Sequence, residues 1–117
     1  MEPGETFAQA AIRETWEEVC LSIEDPVQHG VIGFTFADGY SLYVEIFETR
    51  TFSGIPTETP EAKPFWCPVT AIPYHRMWSD DLVWLPQFLA GYTVQAVFSF
   101  ADDLMLDGTL RLSLPNK

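Results

Sequence analysis

The first apolar residues of the chain recur with helical spacing. Ala8, Ile12, Trp16 and Val19 return every three or four positions, and Thr6 before them is a residue type that caps helices. This pattern predicts an amphipathic helix that begins near Thr6. We expect its four apolar side chains to face the core.

The opposite side of the same helix is acidic. At about 100° per residue, three carboxylates and an arginine project from this side, with the carboxylates within roughly one quadrant or a little more. Side chains at this spacing can converge on a hard cation such as Mg²⁺, but they can also form a solvated face with an ordinary Arg–Glu pair four residues apart. For an isolated acidic cluster the solvated face is favoured. The four residues are Arg13, Glu14, Glu17 and Glu18.

Alternating patterns typical of strands follow this helix. Residues 31–37 and 40–49 are two β-rich runs on either side of Asp38-Gly39, a strong hairpin signal, so we expect antiparallel partners. A segment rich in Pro and Thr then reads as a loop that carries Glu58 and Glu61. Residues 65–69 after it predict a short strand.

The last third of the chain predicts a second helix and two strands. The helix lies within residues 78–91, with Ser79 or Asp80 near its start, Gly91 past its end, and Pro86 compatible only with a first turn. Residues 93–100 and 104–114 alternate as strands do. The sum is an α+β domain with a mixed or antiparallel sheet and at least two helices.

Composition limits the possible functions. The 117 residues are 47% hydrophobic, enough for one packed domain over residues 1–117, and the net charge of −11 argues against binding nucleic-acid polymers or anionic membranes. A small anionic substrate would need a metal ion as intermediary. No long apolar stretch or leader pattern is visible, which predicts a soluble, unsecreted chain in which Cys20 and Cys67 are free thiols.

The acidic helix belongs to a longer motif. The string "GETFAQAAIRETWEEVCL" resembles the Nudix box of hydrolases that act on nucleoside diphosphates linked to another moiety. Its charged positions are matched in register by Glu5, Arg13, Glu14, Glu17 and Glu18. This match favours a metal site over a solvated face. The resemblance implies a Nudix-type α/β/α sandwich with a mixed sheet.

The resemblance also implies roles for the charged residues. Arg13 would orient a carboxylate, and Glu61 would be a metal ligand or the base for the attacking water, with Glu58 as the alternative. The chemistry would be attack of water on a phosphorus of a nucleoside triphosphate, which yields the monophosphate and pyrophosphate. The implied ligands of Mg²⁺, with Mn²⁺ as an alternative ion, are Glu14, Glu17, Glu18 and Glu61.

Further segments resemble one branch of the family, the 8-oxo-dGTP diphosphatases that remove oxidised purine nucleoside triphosphates. These segments are "GIPTETPEAKPFW", "AIPYHRMWSDDLVWLP" and "FSFADDLMLDGTLRLSL". In "WSDD", Trp78 would stack on the purine while Asp80 and Asp81 meet its hydrogen-bonding edge, and a close carboxylate pair that retains one proton offers both donor and acceptor. Taken alone, the two aspartates would be helix caps. Trp84 is expected in the core or at the pocket edge.

Three departures from the family pattern shape the remaining expectations. The chain begins inside the box, so we expect a sheet without its first strands, an exposed edge or core face, and a dimer as an alternative to the family's monomer. Cys20 stands where the family has glycine, and a left-handed helix end there would be strained by about 1 kcal/mol. Thr15 stands at an aliphatic position, which a helix accepts if the hydroxyl bonds backward along the backbone.

The resulting hypothesis is a Mg²⁺-dependent diphosphatase of oxidised purine nucleoside triphosphates, which cleanses the nucleotide pool of the cytoplasm or, in a eukaryote, of the nucleus or mitochondria. Two alternatives stay open. One is a truncated, catalytically impaired form that only binds a partner or nucleotide, and the other is a Nudix enzyme with a different nucleotide substrate. His29 and His75 are given no role.

Overall fold

The computed structural model of the chain describes residues 1–114. Over this range the predicted α+β content is confirmed. The helices are α1 (Phe7–Val19) and α2 (Ser79–Leu89); the strands are β1 (Ser22–Glu24), β2 (Val27–Phe36), β3 (Ser41–Glu48), β4 (Thr51–Ser53), β5 (Thr93–Ala101) and β6 (Leu104–Ser113); and two 3-10 helices cover Val69–Ala71 and Tyr74–Arg76.

Contacts divide the chain into two compact units. The first unit comprises Met1–Gln28 and Phe47–Cys67, and the second comprises His29–Ile46 and the chain from Pro68 onward. The first holds α1 and an antiparallel β1–β4 pair. The second holds α2 and a four-stranded sheet in the order β3-β2-β5-β6.

Helix α1 begins and ends as its sequence predicts. The Thr6 hydroxyl accepts a hydrogen bond from the Gln9 backbone, and the Gln9 side chain accepts one from the Thr6 backbone, which completes a capping box. Cys20 ends the helix in the left-handed region at φ 62°, so the turn is kept although a glycine is absent. The Thr15 hydroxyl donates to the Ala11 carbonyl at 2.6 Å, as expected for a helical threonine.

The apolar stripe of α1 is not buried, and this prediction is wrong. Trp16 is 57% exposed and Ile12 36% exposed, whereas the buried residue of the helix is Ala10. The sheet of the same unit consists of two strands of three residues each, which is too little surface to cover a whole helix face. Part of the apolar stripe of α1 is therefore exposed, at Ile12 and Trp16.

The mixed sheet of the second unit starts with the predicted hairpin. Asp38-Gly39 turns between β2 and β3, with Gly39 at φ 93° and the Tyr40 backbone N–H donating to the Asp38 carboxylate. A turn this short makes the two neighbouring strands antiparallel. Strand β2 then pairs in parallel with β5, which is antiparallel to β6.

One face of this sheet carries the core beneath α2. Every second residue of β5 is buried, beginning with Val94 and ending with Phe100. Trp84 and Phe88, four apart on α2, pack in the same cluster. This packing places the first turn of α2 at one end of the core.

Two details of the predicted elements are wrong. Residues 65–69 form no strand, because Pro64 and Pro68 lack the N–H groups a ladder needs, and the side chains of Phe65 and Trp66 are exposed. Pro86 lies inside α2, well past its first turn. The helix continues beyond Pro86, since the flanking residues Trp84 and Phe88 are anchored in the core.

Within residues 1–114, no helix combines the length and the apolar character that crossing a bilayer requires.

Cys20 and Cys67 are both free cysteines, as the sequence predicts. Like the hairpin glycine, Gly91 has a positive φ. Its value is 101°, as expected for a residue just past a helix end.

Candidate functional site

The first candidate site is the acidic face of α1, by which we mean Arg13, Glu14, Glu17 and Glu18. The side chains of Glu14 and Glu17 are about half exposed, at 49% and 48%. Glu18 is exposed as well, in the last turn of the helix. The face is therefore open to solvent and to small ions.

Arg13 organises this face. Its Nε and Nη2 donate to the two carboxylate oxygens of Glu5 at 2.9 and 3.0 Å, and its Nη1 donates to Glu17 at 3.0 Å. Glu14 lies 3.6 Å from Nη2. The guanidinium hydrogen bond lowers the pKa of Glu5 to about 2, and the same bond raises the pKa of Arg13 above its usual range. Arg13 thus holds the ionised carboxylate of Glu5 and also bonds to Glu17.

A loop that carries two further carboxylates is bonded to the end of α1. The Thr57 backbone N–H donates to the Val19 carbonyl at 2.9 Å, and the Thr59 hydroxyl donates to the Glu18 carbonyl at 2.6 Å. Glu61 is exposed and follows Thr59 by two residues. The predicted loop glutamate therefore belongs to the same unit as the acidic face.

The donors of this unit fit a divalent ion in their chemistry. Among residues 1–114, no three His, Cys, Asp or Glu side chains converge into a ready-made metal cage. Mg²⁺ does not require one, since it commonly binds through one or two carboxylates and completes its shell with waters and substrate phosphates. The exposed oxygens of Glu14, Glu17 and Glu18 suit that mode of binding.

The second candidate site is an apolar pocket of about 260 Å³ in the other unit. The pocket joins the first turn of α2 to the sheet face below it. Its walls are aromatic or aliphatic apart from two aspartates, which makes these carboxylates its only charged groups among the described lining residues. The lining consists of Phe34, Phe36, Leu42, Trp78, Asp80, Asp81 and Phe100.

Asp80 is held by Trp84 one helical turn further on. Its side chain is 2% exposed, and Oδ2 accepts a hydrogen bond from the Trp84 indole Nε1–H at 3.0 Å. The alternative role of helix capping is not observed, because the N-cap position is Trp78 and no side chain caps α2. Asp80 is thus fixed as an acceptor at the pocket wall.

Asp81 and Trp78 complete the polar and stacking surfaces of the pocket. Burial, together with the neighbouring charge of Asp80, raises the pKa of the Asp81 carboxyl. Trp78 is 52% exposed and meets Phe100 edge to face, with ring centroids 5.2 Å apart. Half of the Trp78 surface thus stays available to a planar ligand.

Sequence reasoning missed several pocket residues. Phe34, Phe36 and Phe100, which were assigned no binding role from the sequence, line the pocket and also belong to or pack against the core. A usable signal existed, since the alternation of β2 and β5 puts these rings on one sheet face. The Asp80–Trp84 bond was also predictable from its spacing of four residues on a helix.

The predicted residues therefore fall into two groups. Trp78, Asp80 and Asp81 line one pocket, whereas the acidic face and Glu61 belong to the unit of α1. His29 makes an edge contact with the Phe88 ring. A larger depression of about 560 Å³ on the sheet, lined by Val31, Gly33 and neighbouring strand residues, has no acidic side chain in its described lining.

The fold and the two sites define a Nudix-like domain. The backbone matches a crystal structure of a mutator MutT protein from Bacillus halodurans with a TM-score of 0.83, over 94% of this chain and 76% of that chain. The sequence identity is 22%, so this likeness concerns the fold alone. A sequence model of the NUDIX domain matches residues 1–88. The chain belongs to the Nudix family, whose hydrolases generally use divalent metal ions.

Two curated relatives carry the same name, oxidized purine nucleoside triphosphate hydrolase. The protein from Danio rerio is 36% identical over 101 residues, which are 86% of this chain and 65% of the relative. The protein from Mus musculus is 35% identical over 113 residues, or 95% of this chain and 72% of the relative. The chain thus spans about two thirds of the length of these relatives.

Proposed function

We propose that this chain hydrolyses oxidised purine nucleoside triphosphates to the nucleoside monophosphate and pyrophosphate, with Mg²⁺ as the cofactor. The observation that carries the proposal is the paired Asp80 and Asp81 beside Trp78 in an apolar pocket. The names of the two relatives support the same substrate class.

The pocket has the chemistry to bind an altered purine. Asp80 receives the indole N–H and presents its remaining lone pairs as acceptors. The raised pKa of the Asp81 carboxyl favours its protonated form relative to an ordinary aspartate, and in that form the carboxyl can donate. One acceptor and one donor side by side match a purine edge, and the Trp78 ring supplies a stacking face. Oxidised purines that differ in protonation could then be accepted by the same pair.

The acidic face would carry the phosphate chemistry. Glu14, Glu17 and Glu18 are the proposed ligands of the ion, and Arg13 keeps Glu17 in place. When bound, the ion would neutralise charge on the triphosphate oxygens and favour ionisation of the attacking water. Glu61 lies on the loop that is bonded to the end of α1. We propose its carboxylate as a further ligand or as the base that accepts the water proton.

The test is hydrolysis of 8-oxo-dGTP and dGTP by the purified chain with Mg²⁺, with chromatographic identification of the products. We expect monophosphate and pyrophosphate in equal amounts, faster turnover of the oxidised nucleotide, and loss of both products in Glu18→Gln. Release of inorganic phosphate instead of pyrophosphate would contradict the proposed bond cleavage.

Two other outcomes separate the alternatives. Hydrolysis of pyrimidine and purine nucleotides at equal rates would indicate a Nudix enzyme with another substrate. A folded chain that binds 8-oxo-dGTP without hydrolysing it would indicate a binding module. Circular dichroism of the wild-type chain and of Glu18→Gln controls for folding in either case.

A further inference from the structure

The loop of residues 54–62, here called the capping loop, meets the C-terminal end of α1 at three consecutive carbonyls. A helix end leaves such carbonyls without internal partners. The Thr59 hydroxyl satisfies Glu18, and the Thr57 backbone N–H satisfies Val19. At Gly54, φ is +103° and a Cβ would lie 3.0 Å from the next carbonyl oxygen, that of Cys20, so only glycine allows this close approach.

Thr59 makes hydrogen bonds both to α1 and within the capping loop. Its hydroxyl donates to the Glu18 carbonyl at 2.6 Å and accepts from the Glu61 backbone N–H at 3.3 Å. Its backbone exchanges two hydrogen bonds with Ala62, at 3.0 and 3.3 Å. One hydroxyl therefore links the backbone of Glu18 directly to the backbone of Glu61.

This link joins two elements that are distant in sequence. Helix α1 carries Glu18 and the capping loop carries Glu61, both proposed for the ion, and no regular sheet ladder of the described residues joins the two elements at this point. A β-branched threonine holds its hydroxyl in few rotamers. It therefore fixes the two backbone groups bonded to that hydroxyl more firmly than a flexible side chain would. Groups that orient ligands in this way commonly change metal affinity or activity about 10- to 100-fold when removed.

We propose that Thr59 is a positioning residue that sets the carboxylate of Glu61 against that of Glu18 for binding the divalent ion. The inference rests on the proposed function, since it takes Glu18 and Glu61 to be the groups that meet the ion. It assigns Thr59 itself no contact with ion or substrate.

The test compares three variants of the full chain. Thr59→Val removes the hydroxyl at nearly constant shape, and Thr59→Ser restores it. Thr57→Val is the matched control, because its hydroxyl donates only locally to Ile55 while the contact to Val19 uses the backbone N–H. The readouts are Mn²⁺ affinity by electron paramagnetic resonance without nucleotide, kcat and KM for 8-oxo-dGTP, and amide hydrogen exchange of the capping loop.

We expect Thr59→Val to weaken Mn²⁺ binding and to lower kcat, each about tenfold, with KM changed less than about twofold at saturating metal. The Glu61 and Ala62 amides should exchange faster. Thr59→Ser should recover the wild-type values, and Thr57→Val should keep them. The inference is overturned if Thr59→Val behaves like Thr57→Val, or if Thr59→Ser fails to recover Mn²⁺ affinity.

Failure of the proposed function would look different. A wild-type chain that neither binds Mn²⁺ nor hydrolyses nucleotide would refute the function and the metal-positioning role together. The exchange data would then show separately whether the Thr59 hydroxyl holds the loop to α1. A loss confined to thermal stability in Thr59→Val, with metal affinity intact, would also overturn the inference.

Discussion

Two clusters of carboxylates in this molecule have opposite electrostatics. In the unit of α1, the Arg13 guanidinium lowers the pKa of Glu5 to about 2 and so keeps that carboxyl ionised. In the other unit, burial and a neighbouring aspartate raise the pKa of Asp81, and Asp80 is 2% exposed beside an indole. The surroundings thus favour the charged form of Glu5 and disfavour the charged form of Asp81.

The difference in surroundings indicates what each cluster can bind. Ionised, exposed oxygens attract hard cations and leave room for water and phosphate. An aspartate pair at the wall of an apolar pocket instead meets the hydrogen-bonding groups of a ligand, where desolvation makes each mismatch costly. We infer that phosphate chemistry belongs to the acidic face and base selection to the pocket.

The largest effect should come from Glu18→Gln. Loss of one ion ligand should lower kcat at least about 100-fold, because the ion contributes several kcal/mol to stabilising the transition state. Steady-state kinetics with 8-oxo-dGTP measure this loss. Asp80→Asn is the matched variant from the pocket, and it should raise KM more than it lowers kcat. Equal kinetic changes in both variants would remove the distinction between the two clusters.

Trp84→Phe should produce the next largest effect, on stability. The change removes the indole N–H that donates to buried Asp80 and should lower the free energy of unfolding by about 1 to 3 kcal/mol. Trp16→Phe, at a site that is 57% exposed, should change it by less than about 0.5 kcal/mol. Urea unfolding followed by circular dichroism measures both. Equal losses would show that the indole N–H of Trp84 is unimportant.

Glu5→Gln should remove an acid-sensitive part of the stability. The folded-state pKa of Glu5 lies near 2 instead of 4.5, so its ionised form stabilises the fold above pH 4.5, and this contribution is lost as the pH falls toward 2. The wild type should therefore have the higher Tm at neutral pH, and the two melting curves should merge near pH 2. High salt should reduce the difference, since the cluster is accessible to solvent. A constant difference across this pH range would contradict the role of Arg13.

The stability difference between Asp81→Asn and the wild type should depend on pH in the opposite sense, and it should be the smallest of these effects. The raised pKa means that the ionised Asp81 is penalised in the fold, so wild-type stability falls as the pH rises from the unfolded value of 3.8 through the higher folded value. The variant should therefore be at least as stable as the wild type at pH 7, with the difference gone below pH 3.8. Thermal melts at a series of pH values test this. A variant less stable at pH 7 than at pH 4, relative to wild type, would contradict it.

The sequence predicts those elements that have strong local signals. Thr6 and Gln9 start α1, Asp38-Gly39 forms the hairpin, and Gly91 follows α2, because caps and turns depend on a few neighbouring residues. The pairing of β1 with β4 could not be predicted in this way. Its strands are three residues long, and Ser22 pairs with a residue far along the chain.

Periodicity also has a limit that α1 and α2 illustrate. It shows which side chains share a face, but not whether another element covers that face, and Trp16 is exposed for this reason. Pro86 violates a local rule inside α2, where core contacts of Trp84 and Phe88 maintain the helix on both sides. The box and "WSDD" could be found from residue types, whereas the pocket floor required the register of β2 with β5.

The most direct test of the division between the two clusters is binding of 8-oxo-dGMP without metal, followed by tryptophan fluorescence. This ligand keeps the oxidised base but lacks the triphosphate. Wild type and Glu18→Gln should bind it with the same Kd, and the double variant Asp80→Asn with Asp81→Asn should bind it at least about tenfold more weakly. If Glu18→Gln weakened binding as much as the double variant, base selection would not belong to the pocket.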